Sequence, residues 1–274
     1  FTNFICMKKI VVATDFSFFF ENAMRYALHL APKIGAGITV IHFVHPTQLV
    51  DNNVWAMYFT EDLLEAKNEA LNHWVARFSA PDVTINALCQ VDYLTEGIMN
   101  YVAEQSIDLL IIGSTGSTGI SGILGSNAAS IISNTQIPAI IVPIDARPAD
   151  VVTFTLATDF SPLTDANKQQ LTQLCTALTI PTVAVLHVYK EGASIPKAEA
   201  ETQLKADLAP LDLQFHYIKH DDVNDAIHEF LVQQPSNLLC SITHQHSFLQ
   251  SLFRKNKVKA LVNEATIPIL VLHG

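Results

Sequence analysis

Glycines suited to anion binding cluster near the middle of the chain. Five of its ten glycines lie within residues 113–127, which read Gly-Ser-Thr-Gly-Ser-Thr-Gly-Ile-Ser-Gly-Ile-Leu-Gly-Ser-Asn. Exposed backbone N–H groups in such a loop, followed by the N-terminus of a helix, suit an anion such as phosphate. Gly116 and Gly119 permit the positive φ values that tight turns need. The alternative interpretation is a loop whose glycines only ease a turn.

The loop lacks the signatures of three common site types. No glycine of the chain is followed by lysine, so the P-loop of NTPases is not indicated. Gly-x-Gly-x-x-Gly is absent, which argues against a dinucleotide site. Gly-x-Ser-x-Gly is also absent, which argues against the nucleophile of an α/β-hydrolase.

The elements that position this loop occur twice. Ala-Thr-Asp-Phe-Ser stands at residues 13–17 and again at 157–161, an offset of 144. Two further blocks match in the same order: 40–44 with 185–189 at an offset of 145, and 137–142 with 267–272 at an offset of 130. Three ordered matches indicate an internal duplication. The polar residues 145–150 mark the predicted boundary between a first domain, 1–147, and a second, 148–274.

Apolar periodicity predicts alternating strands and helices in each copy. In the first copy, the predicted strands are 10–14, 38–44, 83–91, 109–112 and 140–142, and the predicted helices are 22–34, 61–78, 95–105 and 127–134. Alternating βα units with short apolar strands indicate a parallel, doubly wound α/β sheet with right-handed crossovers. The glycine-rich loop then lies at the carboxyl end of a strand, where such sheets bind ligands.

Composition narrows the function classes. The net charge is −10, and no wide basic surface is indicated, so we expect no nucleic-acid partner. Mean hydropathy is high at +0.27, but the apolar runs are short and none approaches the ~20 residues of a membrane helix. The four cysteines show neither zinc nor disulfide spacing and predict buried thiols in a reducing cytoplasm. The first residues lack the basic region of a signal peptide.

Three motifs together resemble the universal stress protein family. They are Ala-Thr-Asp-Phe-Ser after the first strand, Val-Ile-His-Phe-Val in the second strand, and Gly-x-x-Gly…Gly-Ser before the last helix of the first copy. The resemblance covers nearly the whole chain, twice. It implies two five-stranded parallel α/β domains of the adenine-nucleotide alpha-hydrolase-like kind, paired as an internal pseudo-dimer.

The resemblance also implies ATP as the ligand of the first copy. The implied contacts are the phosphates with Gly113, Gly116, Gly125 and Ser126, beside Asn127, the ribose with Asp15, and the adenine with the backbone of Phe43. Because an aspartate at a strand-to-helix turn also satisfies local N–H groups, a structural role for Asp15 stays open. The sequence does not decide whether Mg²⁺ accompanies the nucleotide.

This chain departs from the family pattern in two places. ATP-binding members have nine residues between the second glycine and the final Gly-Ser, whereas eight lie between Gly116 and Gly125. In the second copy, Ile242 and Gln245 align with Gly113 and Gly116, and Lys255 and Asn256 align with Gly125 and Ser126. We therefore expect the second copy not to bind ATP in the family mode.

Other residues give weaker signals. His244, His246, His216 and His220 lack further ligands at zinc spacing, so no metal site is predicted. The paired His42 and His187 suggest a packing or sheet-edge role, and Lys67 and Glu69 suggest a solvated helix face. Residues 45–58, an insertion relative to the second copy, suit a lid, a partner patch or a packed loop.

The sequence thus favours a cytoplasmic, non-enzymatic stress protein that binds ATP in its first domain as a sensor or adaptor. No dedicated base, arginine finger or Mg²⁺-holding carboxylate pair is evident near the loop, so any hydrolysis should be weak. One alternative is an interaction scaffold with both sites vestigial. Another is an enzyme of a related adenine-nucleotide-binding fold. Further homodimerisation and the identity of a protein partner stay open.

Overall fold

The computed structural model describes residues 8–16, 18–46, 56–114, 126–192, 198–234, 236–243 and 267–273. These residues form ten strands and seven helices. The strands are β1 (Lys9–Ala13), β2 (Gly37–Val44), β3 (Ile85–Val91), β4 (Leu109–Gly113), β5 (Ala139–Val142), β6 (Phe154–Ala157), β7 (Val183–Tyr189), β8 (Leu213–Lys219), β9 (Leu238–Thr243) and β10 (Ile269–His273). The helices are α1 (Phe18–Ile34), α2 (Ala56–Val75), α3 (Leu94–Glu104), α4 (Ser126–Asn134), α5 (Asp165–Ala177), α6 (Ala198–Asp207) and α7 (Val223–Gln233).

The strands form one sheet in the order β3-β2-β1-β4-β5-β10-β9-β6-β7-β8. Neighbouring strands are parallel except β5 and β10, which pair antiparallel with Ile140 opposite Leu270. The predicted two five-stranded parallel sheets are therefore present, and they join edge to edge through their last strands. The central strands are buried on both faces, which explains their uninterrupted apolar sequences.

Two apolar layers cover the two faces of the sheet. On the α1–α2 face, Ile10, Val12, Val40 and Leu109 pack in one cluster with the apolar sides of those helices. On the α3–α4 face, alternate residues of the same strands pack with Ile98 and Ile131. Because side chains alternate along a strand, neighbouring residues at the carboxyl ends of the strands serve opposite faces.

The helix bounds differ from prediction at α1 and α2. Helix α1 begins at Phe18 rather than at residue 22. The apolar periodicity missed its first turn because Phe20 packs in the cluster on the opposite face of the sheet from the other buried residues of the helix. Helix α2 runs from Ala56 to Val75 rather than over 61–78. Part of the predicted insertion 45–58 is therefore helical, while residues 47–55 lie outside the described residues.

Hydrogen bonds and ion pairs join the connection between the two halves of the sheet to helix α1. The amide Nδ2 of Asn22 donates to the carbonyl oxygens of Pro143 at 2.7 Å, Ile144 at 3.1 Å and Ala146 at 2.8 Å. Farther along the helix, His29 and Lys33 both contact the carboxylate of Asp150. A single helix thus holds most of the length of the connecting segment.

Candidate functional site

The Thr-Asp-Phe turn that follows β1 has a strained backbone. Phe16 has a φ of +66°, in the left-handed region that costs a non-glycine residue roughly 1–2 kcal/mol. Its N–H donates to Thr14 Oγ1 at 3.0 Å, and its ring packs against His42 with ring centroids 4.4 Å apart. These contacts hold the turn, and with it Asp15, at the end of the strand.

The second copy repeats this turn closely. Phe160 has a φ of +64°, and its N–H donates to Thr158 Oγ1 at 2.9 Å. Asp159 Oδ1 accepts a hydrogen bond of 2.8 Å from the N–H of Ser161. The predicted structural role of the aspartate is thus present at Asp159. At the exposed Asp15 a ligand role stays a prediction.

The two matched histidines fasten these turns to the neighbouring strand. His42 Nδ1 lies 2.8 Å from the carbonyl oxygen of Thr14, and His187 Nδ1 lies 2.9 Å from that of Thr158. A carbonyl can only accept, so Nδ1 carries the proton in each ring. Strands β2 and β7 each have neighbours on both sides, so the predicted sheet-edge role is wrong and the packing role is right.

The burial of His42 makes stability sensitive to pH. Burial lowers the pKa of His42 below its usual value near 6.5, against the raising effect of the Thr14 hydrogen bond. The folded state therefore binds this proton less readily than the unfolded state, and the stability that neutral His42 provides is lost as pH falls below about 6.5. We expect His42→Gln to flatten this acid loss, measured as the urea midpoint between pH 7 and pH 5. An unchanged pH slope would contradict the assignment.

Three of the predicted site residues converge at one edge of the sheet. Asp15 follows β1, Phe43 lies near the end of β2, and Gly113 ends β4. Strand β1 pairs with β2 on one side and with β4 on the other, all parallel, so the three positions share the carboxyl edge. The chain order reverses around β1, and this is the switch point where doubly wound sheets bind ligands.

The side chain of Phe43 packs on the α3–α4 face of the sheet. Its ring is buried against Gly97 of α3, where an added Cβ would lie 2.3 Å from Phe43 Cε1. Glycine is therefore required at position 97 by close approach rather than by backbone conformation. Sequence periodicity did not single out this glycine.

The remaining predicted site residues belong to the loop before α4. Gly116 and Gly125 lie outside the described residues. Ser126 and Asn127 form the first turn of α4, one residue earlier than the predicted start. Gly113 itself belongs to β4, where it pairs with Val142, and does not begin the loop.

Sheet register supports the predicted alignment of the second copy. Gly113 pairs with Val142, and Ile242 pairs with Leu272, the residue that matches Val142 in the repeat. Ile242 packs against the apolar cluster that includes the α1–α2 face of the sheet, so a side chain stands where Gly113 has none. Gln245, Lys255 and Asn256 lie outside the described residues.

Aromatic side chains cover the matching region of the second copy. Phe160 stacks on Phe215 and Tyr217, with ring centroids 6.1 and 6.3 Å apart, and Tyr217 donates to Glu201 at 2.6 Å. Register places Cys89 of the first copy where Tyr217 stands in the second, since each is paired with the matched histidine. The two edges therefore differ in shape as well as in their glycines.

Lys67 does not lie on a solvated helix face. It is half-buried, whereas Glu69 is exposed as predicted. Lys67 shares the stripe of α2 that includes Leu63, Leu64 and Leu71, residues that pack on the apolar core. The sequence does indicate this position, because Lys67 stands four residues from Leu63 and four from Leu71, at the spacing of the buried residues of α2.

Other predicted features have simpler outcomes. Cys89, Cys175 and Cys240 are buried free thiols, and Cys6 lies outside the described residues. His216 packs on Phe230 and His220 bonds its own turn, while His244 and His246 are outside the described part of the chain. Within the described ranges, no cluster of three potential metal ligands occurs, and no helix is long and apolar enough to cross a membrane.

Fold and site define a doubly wound α/β protein with a candidate ligand site at the carboxyl edge of its first half. The model of the universal stress protein family matches residues 7–143, which is half of the chain. The chain belongs to the universal stress protein family, whose members are stress-response proteins.

Individual relatives agree with this assignment. A universal stress protein of Methanocaldococcus jannaschii is 29% identical over 139 residues, covering 49% of this chain and 81% of that protein. The crystal structure of a universal stress protein from Archaeoglobus fulgidus matches with a TM-score of 0.73 at 15% identity, covering 97% of this chain and 98% of that one. A functionally unknown protein from Pseudomonas aeruginosa matches with a TM-score of 0.60 at 12% identity, covering 97% and 92%. The two structures share the fold across both halves.

Proposed function

We propose that the first half of the protein binds ATP at the carboxyl edge of β1, β2 and β4, and that the protein acts as a nucleotide-dependent sensor or adaptor in a stress response. The observation that carries the proposal is the convergence of Asp15, Phe43 and Gly113 on these three adjacent strands. The N-terminus of α4 follows the glycine-rich loop from the same edge. Its N–H groups and helix dipole suit a phosphate.

The second half supports the proposal by contrast. It keeps the Thr-Asp-Phe turn and the histidine contact but carries Ile242 in place of Gly113. A branched side chain there hinders the close approach of phosphate to the backbone. We infer one nucleotide site per chain, with the second half serving as a partner for the first.

The remaining parts of the proposal concern organisation and chemistry. We place the domain boundary after Arg147, in the connection held by α1, and we take the β5–β10 pairing as an internal pseudo-dimer contact. Phosphoryl transfer needs positioned metal ligands and a base or arginine finger, so we expect hydrolysis to be weak and incidental. Buried free thiols are typical of a reducing compartment such as the cytoplasm.

Calorimetry with ATP on Gly113→Val and on the unsubstituted chain tests the site. We expect one site per natural chain and a loss of at least about tenfold in affinity with Gly113→Val, because its side chain occupies the space of the phosphate. Ile242→Val, the matched change in the second half, should leave binding unchanged. If the unsubstituted chain releases no heat of binding with ATP and carries no co-purifying nucleotide, the proposal is wrong and an interaction scaffold is favoured.

A further inference from the structure

A lysine occupies the middle of the core-facing stripe of α2. The stripe includes Leu63, Leu64, Leu71 and Trp74, all of which pack on the apolar cluster over β2 and β3. Lys67 lies four residues from Leu63 and four from Leu71, so its side chain leaves the helix toward the sheet. Lysine is rare at such a position because burying an ammonium group is costly.

No carboxylate within the described ranges forms an ion pair with this ammonium group. Its neighbours three and four residues away on α2 are Leu63, Leu64, Ala70 and Leu71, which offer no charge. The side chain is nevertheless half-buried. A half-buried cation without a paired anion is well placed to meet a polar ligand.

The surroundings of Lys67 locate it at the candidate nucleotide site. His42 and Cys89 stand opposite each other on β2 and β3, and the positive charge of Lys67 acts to lower the pKa of both. His42 also feels the charge of Asp15 and bonds the Thr14 carbonyl. Since α2 packs on β2 and β3, Lys67 faces the side of the sheet on which Cys89 is buried and His42 contacts Phe16.

This position is at one end of the site rather than at its centre. Neighbouring strands lie about 4.8 Å apart, so β2 stands about 10 Å from β4 with β1 between them. Gly113 and the start of α4 belong to the β4 side, where the phosphates are expected. Lys67 belongs to the β2–β3 side, where Phe43 is expected to meet the base.

We infer that Lys67 binds the nucleoside end of the ligand, donating a hydrogen bond from its ammonium group to a ring nitrogen of the purine. This inference rests on the proposed nucleotide site and names a contact within it. The ring nitrogens N3 and N7 of adenine are acceptors and suit an ammonium donor. The contact favours a purine over a pyrimidine, because both purines carry these ring acceptors.

Binding of adenosine and ATP to Lys67→Met tests the inference. Methionine keeps the apolar stem but removes the donor, so we expect the Kd for both ligands to rise about tenfold, and equally, because the phosphates are not involved. In the natural protein, 3-deazaadenosine or 7-deazaadenosine should bind about tenfold more weakly than adenosine. Lys67→Met should no longer discriminate against that analogue.

Controls separate this inference from the proposed function. Lys168→Met alters a half-buried lysine of the second half, paired with Asp207, and should leave both Kd values unchanged. If the natural chain binds neither adenosine nor ATP, the proposed function and the inference both fail. If the natural chain binds but Lys67→Met weakens ATP alone, or weakens neither ligand, the nucleoside contact alone is overturned.

Discussion

Asn22→Ala should lower the free energy of unfolding by about 3 kcal/mol. The two N–H groups of the Asn22 amide serve three carbonyl oxygens, of Pro143, Ile144 and Ala146, so one N–H is shared between two acceptors. Two hydrogen bonds contribute about 1 kcal/mol each, and buried carbonyl groups left without a donor cost about 1 kcal/mol more. Asn22 and Ala146 are both buried, so water cannot freely replace the lost donor. Urea denaturation monitored by circular dichroism measures the change. Hydrogen exchange at the Ala146 amide should quicken, since that N–H closes the turn onto Pro143.

Asn167→Ala is the matched control for this prediction. Asn167 occupies the same position in α5, at the repeat offset of 145, and is also buried. Its Nδ2 has no hydrogen-bond partner among the described residues. Removing an unsatisfied amide should change the free energy of unfolding by less than about 1 kcal/mol. A similar loss in both variants would show that burial of the side chain, rather than the clamp on the connecting segment, explains the effect.

The central strands could be predicted from the sequence because they are buried on both faces of the sheet. The buried strands β1, β4 and β5 carry continuous apolar runs, and their observed ends lie within one residue of the predicted ends. The repeated Thr-Asp-Phe turn was visible as sequence identity, but its left-handed Phe16 and Phe160 were not. Phenylalanine gives no signal for positive φ, and the conformation depends on the threonine and histidine contacts.

The sequence predicts the candidate site less completely than the fold. Asp15, Phe43 and Gly113 could be named from motif resemblance, and parallel strand order brings them together. Lys67 and Gly97 were not singled out from the sequence, because a charge at core spacing and a helical glycine can be interpreted only once the facing strand is known. Joining of the halves through β5 and β10 was likewise implied by family resemblance and not by the residues themselves.

On the face of β2 opposite Lys67, Gly97→Ala should destabilise the fold. An added Cβ would lie 2.3 Å from Phe43 Cε1, 2.5 Å from Cδ1 and 2.9 Å from Cζ. Overpacking of this kind costs about 1–3 kcal/mol, and the helix propensity of alanine returns about 1. We therefore expect a net loss of up to about 2 kcal/mol in the free energy of unfolding, measured by urea denaturation.

Two further variants identify the cause. Gly37→Ala is a matched control, because the nearest atom to its added Cβ is the Thr84 carbonyl oxygen at an ordinary 3.4 Å, and it should be nearly neutral. Phe43→Leu makes room for the new methyl group, so the double variant with Gly97→Ala should be more stable than the sum of the single changes predicts. Simple additivity would show that the clash with Phe43 is not the cause.

Because Phe43 lies at the candidate base-binding end of β2, displacement of its ring in Gly97→Ala should also weaken ATP binding. Adding Phe43→Leu to Gly97→Ala should restore that binding. Packing behind the sheet would thereby set the position of the backbone that meets the nucleotide.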